Sequence, residues 1–227
     1  MIKKLACILL LLFIFVGNSH AIIVGYSRGG TAPSPYLFSW ACENLTAEVF
    51  NVTDGGTITP DSDGVPSYSF VSGQTNNAIQ LDSATWASVP ATDGNNINLS
   101  AGTVKFDYRL QAGTSSSAHR IIVLGTSANE FDLKRSSIGE NRYSFSLSGS
   151  TYYMNTLENL YDGSWHSVEL IWNCASQTAS LVIDSSTYPI SLGSTDTPFN
   201  SNGLMYFNGF NSTSSALTSQ YDNVTVE

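Results

Sequence analysis

Thr103-Val104-Lys105-Phe106-Asp107-Tyr108-Arg109-Leu110 alternates polar and apolar side chains without a break. A period of two puts Val104, Phe106, Tyr108 and Leu110 on one side of an extended chain and Lys105, Asp107 and Arg109 on the other. Such a segment buries one face and leaves the other in solvent, the habit of antiparallel sheets. The same period recurs. His166, Val168, Leu170 and Trp172 alternate with Ser167, Glu169 and Asn173, with Ile171 breaking the polar face. Tyr143, Phe145 and Leu147 alternate with serines, and Ala179, Leu181 and Ile183 with Ser180 and Asp184. Further strands are expected over 68–72, 78–81, 119–124, 131–134, 151–154, 187–190, 205–210 and 219–226.

Turn signals separate these runs: Asp54-Gly55, Asp63-Gly64, Asp93-Gly94, Ser148-Gly149, Asp162-Gly163, Asn202-Gly203 and Asn208-Gly209. No stretch of ten residues carries a convincing period of 3.6. Many short strands closely punctuated by turns predict an all-β sandwich or barrel.

Composition narrows the function classes. The chain has 227 residues, 11% of them aromatic, a content that argues against disorder. Nine Lys and Arg face eighteen Asp and Glu, a net charge of −9. So few bases do not favour a phosphate-backbone interface. Met1-Ile2-Lys3-Lys4, the apolar run Leu5 to Val16 and Ser19-His20-Ala21 have the layout of a secretory signal peptide cut after Ala21. The expected organisation is residues 1–21 as signal, 22–37 as a Gly/Pro-rich tail and 38–227 as one domain, secreted, extracellular or periplasmic. No second apolar run reaches spanning length, so a membrane-spanning role is not expected. After cleavage Cys42 and Cys174 remain, and an oxidising compartment favours a disulfide between them. Closing so long a loop would contribute about 4–5 kcal/mol.

The order of short motifs resembles that of laminin-G-like domains in the concanavalin A-like lectin-glucanase superfamily. Asn77-Ala78-Ile79-Gln80-Leu81-Asp82 is similar to the family's "N-A-apolar-x-apolar-D" strand. Leu99-Ser100-Ala101-Gly102-Thr103-Val104-Lys105-Phe106 resembles its "L-S-x-G-T-V-x-F" entry to a central strand. Asp162-Gly163-Ser164-Trp165-His166-Ser167-Val168 resembles its "D-G-x-W-H-x-V" turn, and Leu181-Val182-Ile183-Asp184 its "L-x-x-D" hairpin strand. Ser185 stands where that hairpin usually has Gly. Trp40-Ala41-Cys42-Glu43-Asn44 and Tyr221-Asp222-Asn223-Val224-Thr225-Val226 resemble the first and last strands. The likeness covers roughly 38–227 and implies a jelly-roll β-sandwich of two antiparallel sheets, one usually concave. It implies no activity, because this fold hosts lectins, hydrolases, lyases and adhesive modules.

A search for catalytic groups leaves an enzyme disfavoured. Glucanases of the superfamily carry strand-spaced acids, Glu-x-Asp-x-x-Glu, whose carboxylates stand about 5 Å apart. Glu43 and Glu48 have the wrong parity, and Asp61 and Asp63 are expected in a turn. His119 with Arg120 is the nearest lyase-like pair, without companion motifs. His166 is read as structural. No nucleophile elbow occurs.

Binding is the favoured reading. Sugars need hydrogen-bonding groups beside aromatic platforms. Lys105, Asp107 and Arg109 form one strand face, which Arg120, Arg142 and Glu169 are expected to join, with Trp86, Tyr152, Tyr153 and Tyr161 available for stacking. Such a gathering of bases would favour an anionic glycan or surface ligand. A structural calcium is expected on Glu43 and Asp222, where first and last strands pair, with Asp54, Asp61 and Asp63 as loop alternatives. The main alternative role is assembly: Ile22-Ile23-Val24, within residues 22–30, could add as a strand to a neighbouring copy. A polysaccharide hydrolase or lyase is the second alternative. Asn44, Asn51, Asn98, Asn211 and Asn223 carry the glycosylation pattern.

Overall fold

A computed structural model describes residues 38–50, 53–62, 66–82, 85–89, 97–110, 119–124, 131–135, 142–147, 150–193, 199–201, 205–208 and 217–227. The expected signal (1–21) and the whole of the expected tail (22–37), with its 22–30 segment, lie outside them. Residues Ser34–Glu227 form one compact unit.

Among the described residues nineteen strands follow in chain order: β1 Phe38–Trp40, β2 Thr46–Phe50, β3 Thr53–Thr57, β4 Thr59–Ser62, β5 Tyr68–Ser72, β6 Asn77–Leu81, β7 Thr85–Val89, β8 Ile97–Leu99, β9 Ala101–Leu110, β10 His119–Leu124, β11 Phe131–Arg135, β12 Arg142–Leu147, β13 Ser150–Asn155, β14 His166–Asn173, β15 Thr178–Ile183, β16 Ser186–Ser191, β17 Phe199–Ser201, β18 Met205–Phe207 and β19 Ser219–Val226. The fold is an all-β antiparallel sandwich. The larger sheet has ten strands, in the order β16-β15-β14-β9-β19-β1-β2-β3 with β6 on β19 and β5 on β6. The second has seven, β13-β12-β11-β10-β18-β7-β4, and β8 and β17 form a small third sheet.

The alternation in the sequence accounts for the layers. On β9, Val104, Phe106, Tyr108 and Leu110 are buried, and on β14 so are Val168, Leu170 and Trp172. They meet Ile121, Ile122, Leu133, Tyr143 and Phe207 of the second sheet in one core. Tyrosine hydroxyls cross that core and find partners, as buried hydroxyls must. The Tyr221 hydroxyl donates to the Ile121 carbonyl at 2.7 Å and accepts the Asn208 amide at 3.0 Å. The Tyr108 hydroxyl meets His119 Nε2 at 3.2 Å. His119 is fully buried, so the lyase-like reading of His119 with Arg120 has no open cleft to act in.

Three local expectations are corrected. Asp54-Gly55 lies inside β3 and Asp61 inside β4, so these Gly/Pro-containing segments are strands at the sheet margins and not turns. The expected strand 205–210 ends at Phe207, because Asn208 takes a left-handed φ of 63°. Cys42 and Cys174 carry thiols and share no disulfide. Cys42 follows Trp40, which pairs Val224, whereas Cys174 follows Asn173, which pairs Ala101. Traced through β19 and β9, these ends lie about five residue steps apart along the strands, on the order of 16 Å, against a Cα separation near 6 Å in a disulfide.

Candidate functional site

β19 is long enough to hold two partners along one edge. Its first half pairs β6, with Tyr221 opposite Ile79, and its last half pairs β1, with Val224 opposite Trp40. Between the halves the register with β9 slips between Asp222 and Thr225. Asn223 sits in this bulge at φ 50°, a left-handed conformation that Asn tolerates better than most residues. The side chains there lock the irregularity. Asp222 is 1% exposed, and its Oδ2 accepts the backbone N–H groups of Gln74 (2.9 Å) and Thr75 (3.1 Å) at the tip between β5 and β6. Asn223 Nδ2 donates to Asp107 Oδ2 at 3.0 Å and to Thr75 Oγ1 at 3.1 Å.

Beside the bulge lies a hollow of about 430 Å³ on the outer side of the larger sheet, bordered by Ser39 and Ala41 of the first-strand region, Lys105 of β9, and Asn223, Thr225 and Glu227. The register sets Lys105, Thr225 and Ser39 in one row across three strands, and Glu169 continues it opposite Lys105. Lys105 and Glu227 are exposed. Hydroxyls, an amide, an ammonium and a carboxylate therefore border a cavity of the size that holds small polar ligands.

The expected ligand set is divided by the topology. Lys105, Asp107, Arg109 and Glu169 do lie on one face of the larger sheet. Asp107 and Arg109 are already engaged, Asp107 by Asn223 and Arg109 through Nε to the Gly163 carbonyl at 2.7 Å. Arg120 and Arg142 belong to β10 and β12 of the other sheet, because the chain crosses the sandwich between β9 and β10. They do not join Lys105. Trp86 is 3% exposed and offers no platform. Tyr152 packs against the core and its hydroxyl accepts the Gly193 amide at 2.7 Å. Ser39, Asn223, Thr225 and Glu227 escaped the sequence reading. Asp222-Asn223, two poor strand formers inside an expected strand, was the signal for the bulge.

Of the two acids expected to hold calcium, Glu43 is exposed beyond β1, and Asp222 is buried with its Oδ2 accepting the Gln74 and Thr75 amides; the expected pairing of the first and last strands is present. Among the described residues no group of three or more His, Cys, Asp or Glu stands at metal-holding distance.

His166 is a clasp. Its Nδ1 meets Asp184 Oδ2 at 3.0 Å and its Nε2 meets Asp162 Oδ1 at 3.1 Å. Burial works to lower its pKa, but the hydrogen bonds to Asp184 and Asp162 outweigh it and the net shift is upward. Asp162 is shifted down: some burial opposes this, and the Ser164 amide and His166 overcome it. With both ring nitrogens held by carboxylates, His166 has no nitrogen left to serve as a catalytic base. Asp184 takes φ 55°, the left-handed position of the two-residue β15–β16 turn, and its other oxygen accepts the Ser167 amide at 3.1 Å. The left-handed residue of this turn is thus Asp184, ahead of the Ser185 that replaces the usual glycine, and its carboxylate adds the tie to His166.

No family model matches the chain, and no curated protein matches it. Solved structures do. The botulinum neurotoxin serotype G binding domain superposes with a TM-score of 0.62 at 12% identity, covering 85% of this chain and 47% of that one. The binding domain of Paraclostridial Mosquitocidal Protein 1 gives 0.64 at 12% identity, covering 84% and 48%. The binding domain of Botulinum Neurotoxin DC in complex with SialylT gives 0.63 at 12% identity, covering 84% and 47%. The likeness is one of fold, a jelly-roll-like β-sandwich. This chain spans about half the length of the solved chains it matches. Among the described residues no helix is long and apolar enough to cross a membrane.

Proposed function

We propose that the chain is a secreted, non-catalytic binding module of the laminin-G-like type, holding a carbohydrate or a sugar-bearing surface group in the hollow beside the β19 bulge. The observation that carries this is the row Lys105, Thr225 and Ser39 with Asn223 and Glu227 around one shallow cavity. Donors and acceptors of both charge signs suit a hydroxyl-rich ligand, which presents alternating donors and acceptors at its rim. The named neighbours lend support, since all three are described as binding domains and one as a complex with SialylT. The export expected from residues 1–21 agrees with such a role.

The test is a glycan array probed with the chain from Ile22 onward, followed by titration calorimetry on the best ligand. Lys105→Ala and Thr225→Val leave the core and the bulge ties untouched. Each is expected to weaken binding about tenfold, the loss of one or two hydrogen bonds to a ligand. An array without signal, or a ligand indifferent to both substitutions, removes the proposal.

A further inference from the structure

Four of the nine Lys and Arg residues fall on three adjacent strands of the seven-stranded sheet: Arg120 on β10, Lys134 and Arg135 on β11, and Arg142 on β12. In a chain of net charge −9 this is a marked concentration. The ladders set Arg120, Lys134 and Arg142 on one face, whereas Arg135 takes the alternate register position opposite the buried His119 and Tyr143. Arg120 is opposite Lys134, Lys134 opposite Ser144, and Ser144 opposite Tyr153, so one row crosses four strands, roughly 14 Å at the ~4.8 Å strand spacing. The Arg142 guanidinium lies 4.4 Å from the centroid of the Tyr153 ring, and Tyr153 is 58% exposed. Within this row the Ser144 hydroxyl is buried with no hydrogen-bond partner. One acid, Asp132, shares β11.

We propose that this row is a second binding site, for an acidic polysaccharide, on the other sheet from the hollow. Guanidinium and ammonium groups pair with carboxylate or sulfate, and an exposed tyrosine ring accepts the apolar face of a pyranose. Charge density selects among polyanions. Nucleic acid presents a charge about every 1.7 Å of duplex, which the acidic remainder of this chain repels, whereas a polysaccharide with one acid group on every second sugar meets the three bases of the row without that penalty.

The experiment uses the chain from Ile22 onward on immobilised hyaluronan at low and physiological salt, with neutral dextran, single-stranded DNA and phosphatidylserine vesicles as comparators. Salt-sensitive retention on hyaluronan alone is expected. The triple variant R120Q/K134Q/R142Q should lose at least tenfold in affinity, and Tyr153→Ala several-fold, both with wild-type circular dichroism. Arg142→Lys, which keeps the charge and loses the planar stack, should fall between. Lys105→Ala and Thr225→Val should leave this binding unchanged, so the site stands or falls separately from the hollow. No retention on hyaluronan, retention indifferent to the triple variant or to Tyr153→Ala, or tighter binding to DNA or vesicles would overturn the proposal.

Discussion

His166 shows how much one side chain can join. It lies on β14, and its two carboxylate partners come from the turn before that strand and from the β15–β16 turn, so the imidazolium ties three pieces of chain together. Its pKa rises on folding, so the stability it lends is complete below its ordinary value of 6.5 and drains away as pH climbs through the raised folded value. Asp162 behaves oppositely. Its pKa falls on folding, so its share is present above its ordinary 3.8 and is lost as pH drops through the lowered value. Melting temperature should therefore plateau between these limits and decline on both sides. His166→Gln should flatten the alkaline decline and cost about 2 kcal/mol, the scale of hydrogen bonds to charged groups; pH-resolved thermal melts check both. Gly73 gives a second residue-scale prediction. A Cβ there would sit 2.6 Å from Asp222 Oδ2 and 3.0 Å from the Asn77 backbone carbon. Gly73→Ala should destabilise by about 1–3 kcal/mol, the range for overpacked sites, as measured by urea denaturation.

At the scale of the element, β19 organises the larger sheet. It pairs β9 along one edge and divides the other between β6 and β1, and the bulge falls where they divide. Asn223 serves three needs there: a left-handed φ, a bond to Asp107 and a bond to Thr75. Asn223→Gly keeps the conformation and loses the bonds, costing about 1 kcal/mol, whereas Asn223→Val adds a β-branched clash and should cost about 2–3 kcal/mol. Comparing the two by chemical denaturation separates backbone strain from hydrogen bonding. Strands with a clean period of two, β9 and β14 above all, were legible because alternation is imposed by a core on one side only. β2, β3, β4, β7, β8 and β17 fall outside the strands expected from periodicity. β3 carries Gly-Gly and β4 carries Pro60, and pairing with neighbours overrode their low propensity.

The whole molecule explains why the site was only half legible. Which residues share a strand face follows from local spacing, and Lys105, Asp107, Arg109 and Glu169 were grouped correctly on that ground. Which strands share a sheet depends on crossovers that spacing does not encode. The chain changes sheets between β9 and β10, so Arg120 and Arg142 are separated from Lys105, and what looked like one basic face became two distinct surfaces. The same topology carries Cys42 and Cys174 toward opposite strand ends. Reduction should accordingly leave the melting temperature of the chain from Ile22 onward unchanged, where a native bridge over so long a loop would lower it sharply.

The hollow beside the β19 bulge is proposed to hold a sugar-bearing ligand. Titrating the isotopically labelled chain with the best glycan from the array and mapping amide shifts tests it most directly. Saturable shifts centred on Ser39, Lys105, Asn223 and Thr225 are expected, with the core amides of β14 and β15 still. Shifts confined to other surfaces, or none at saturating ligand, would contradict it.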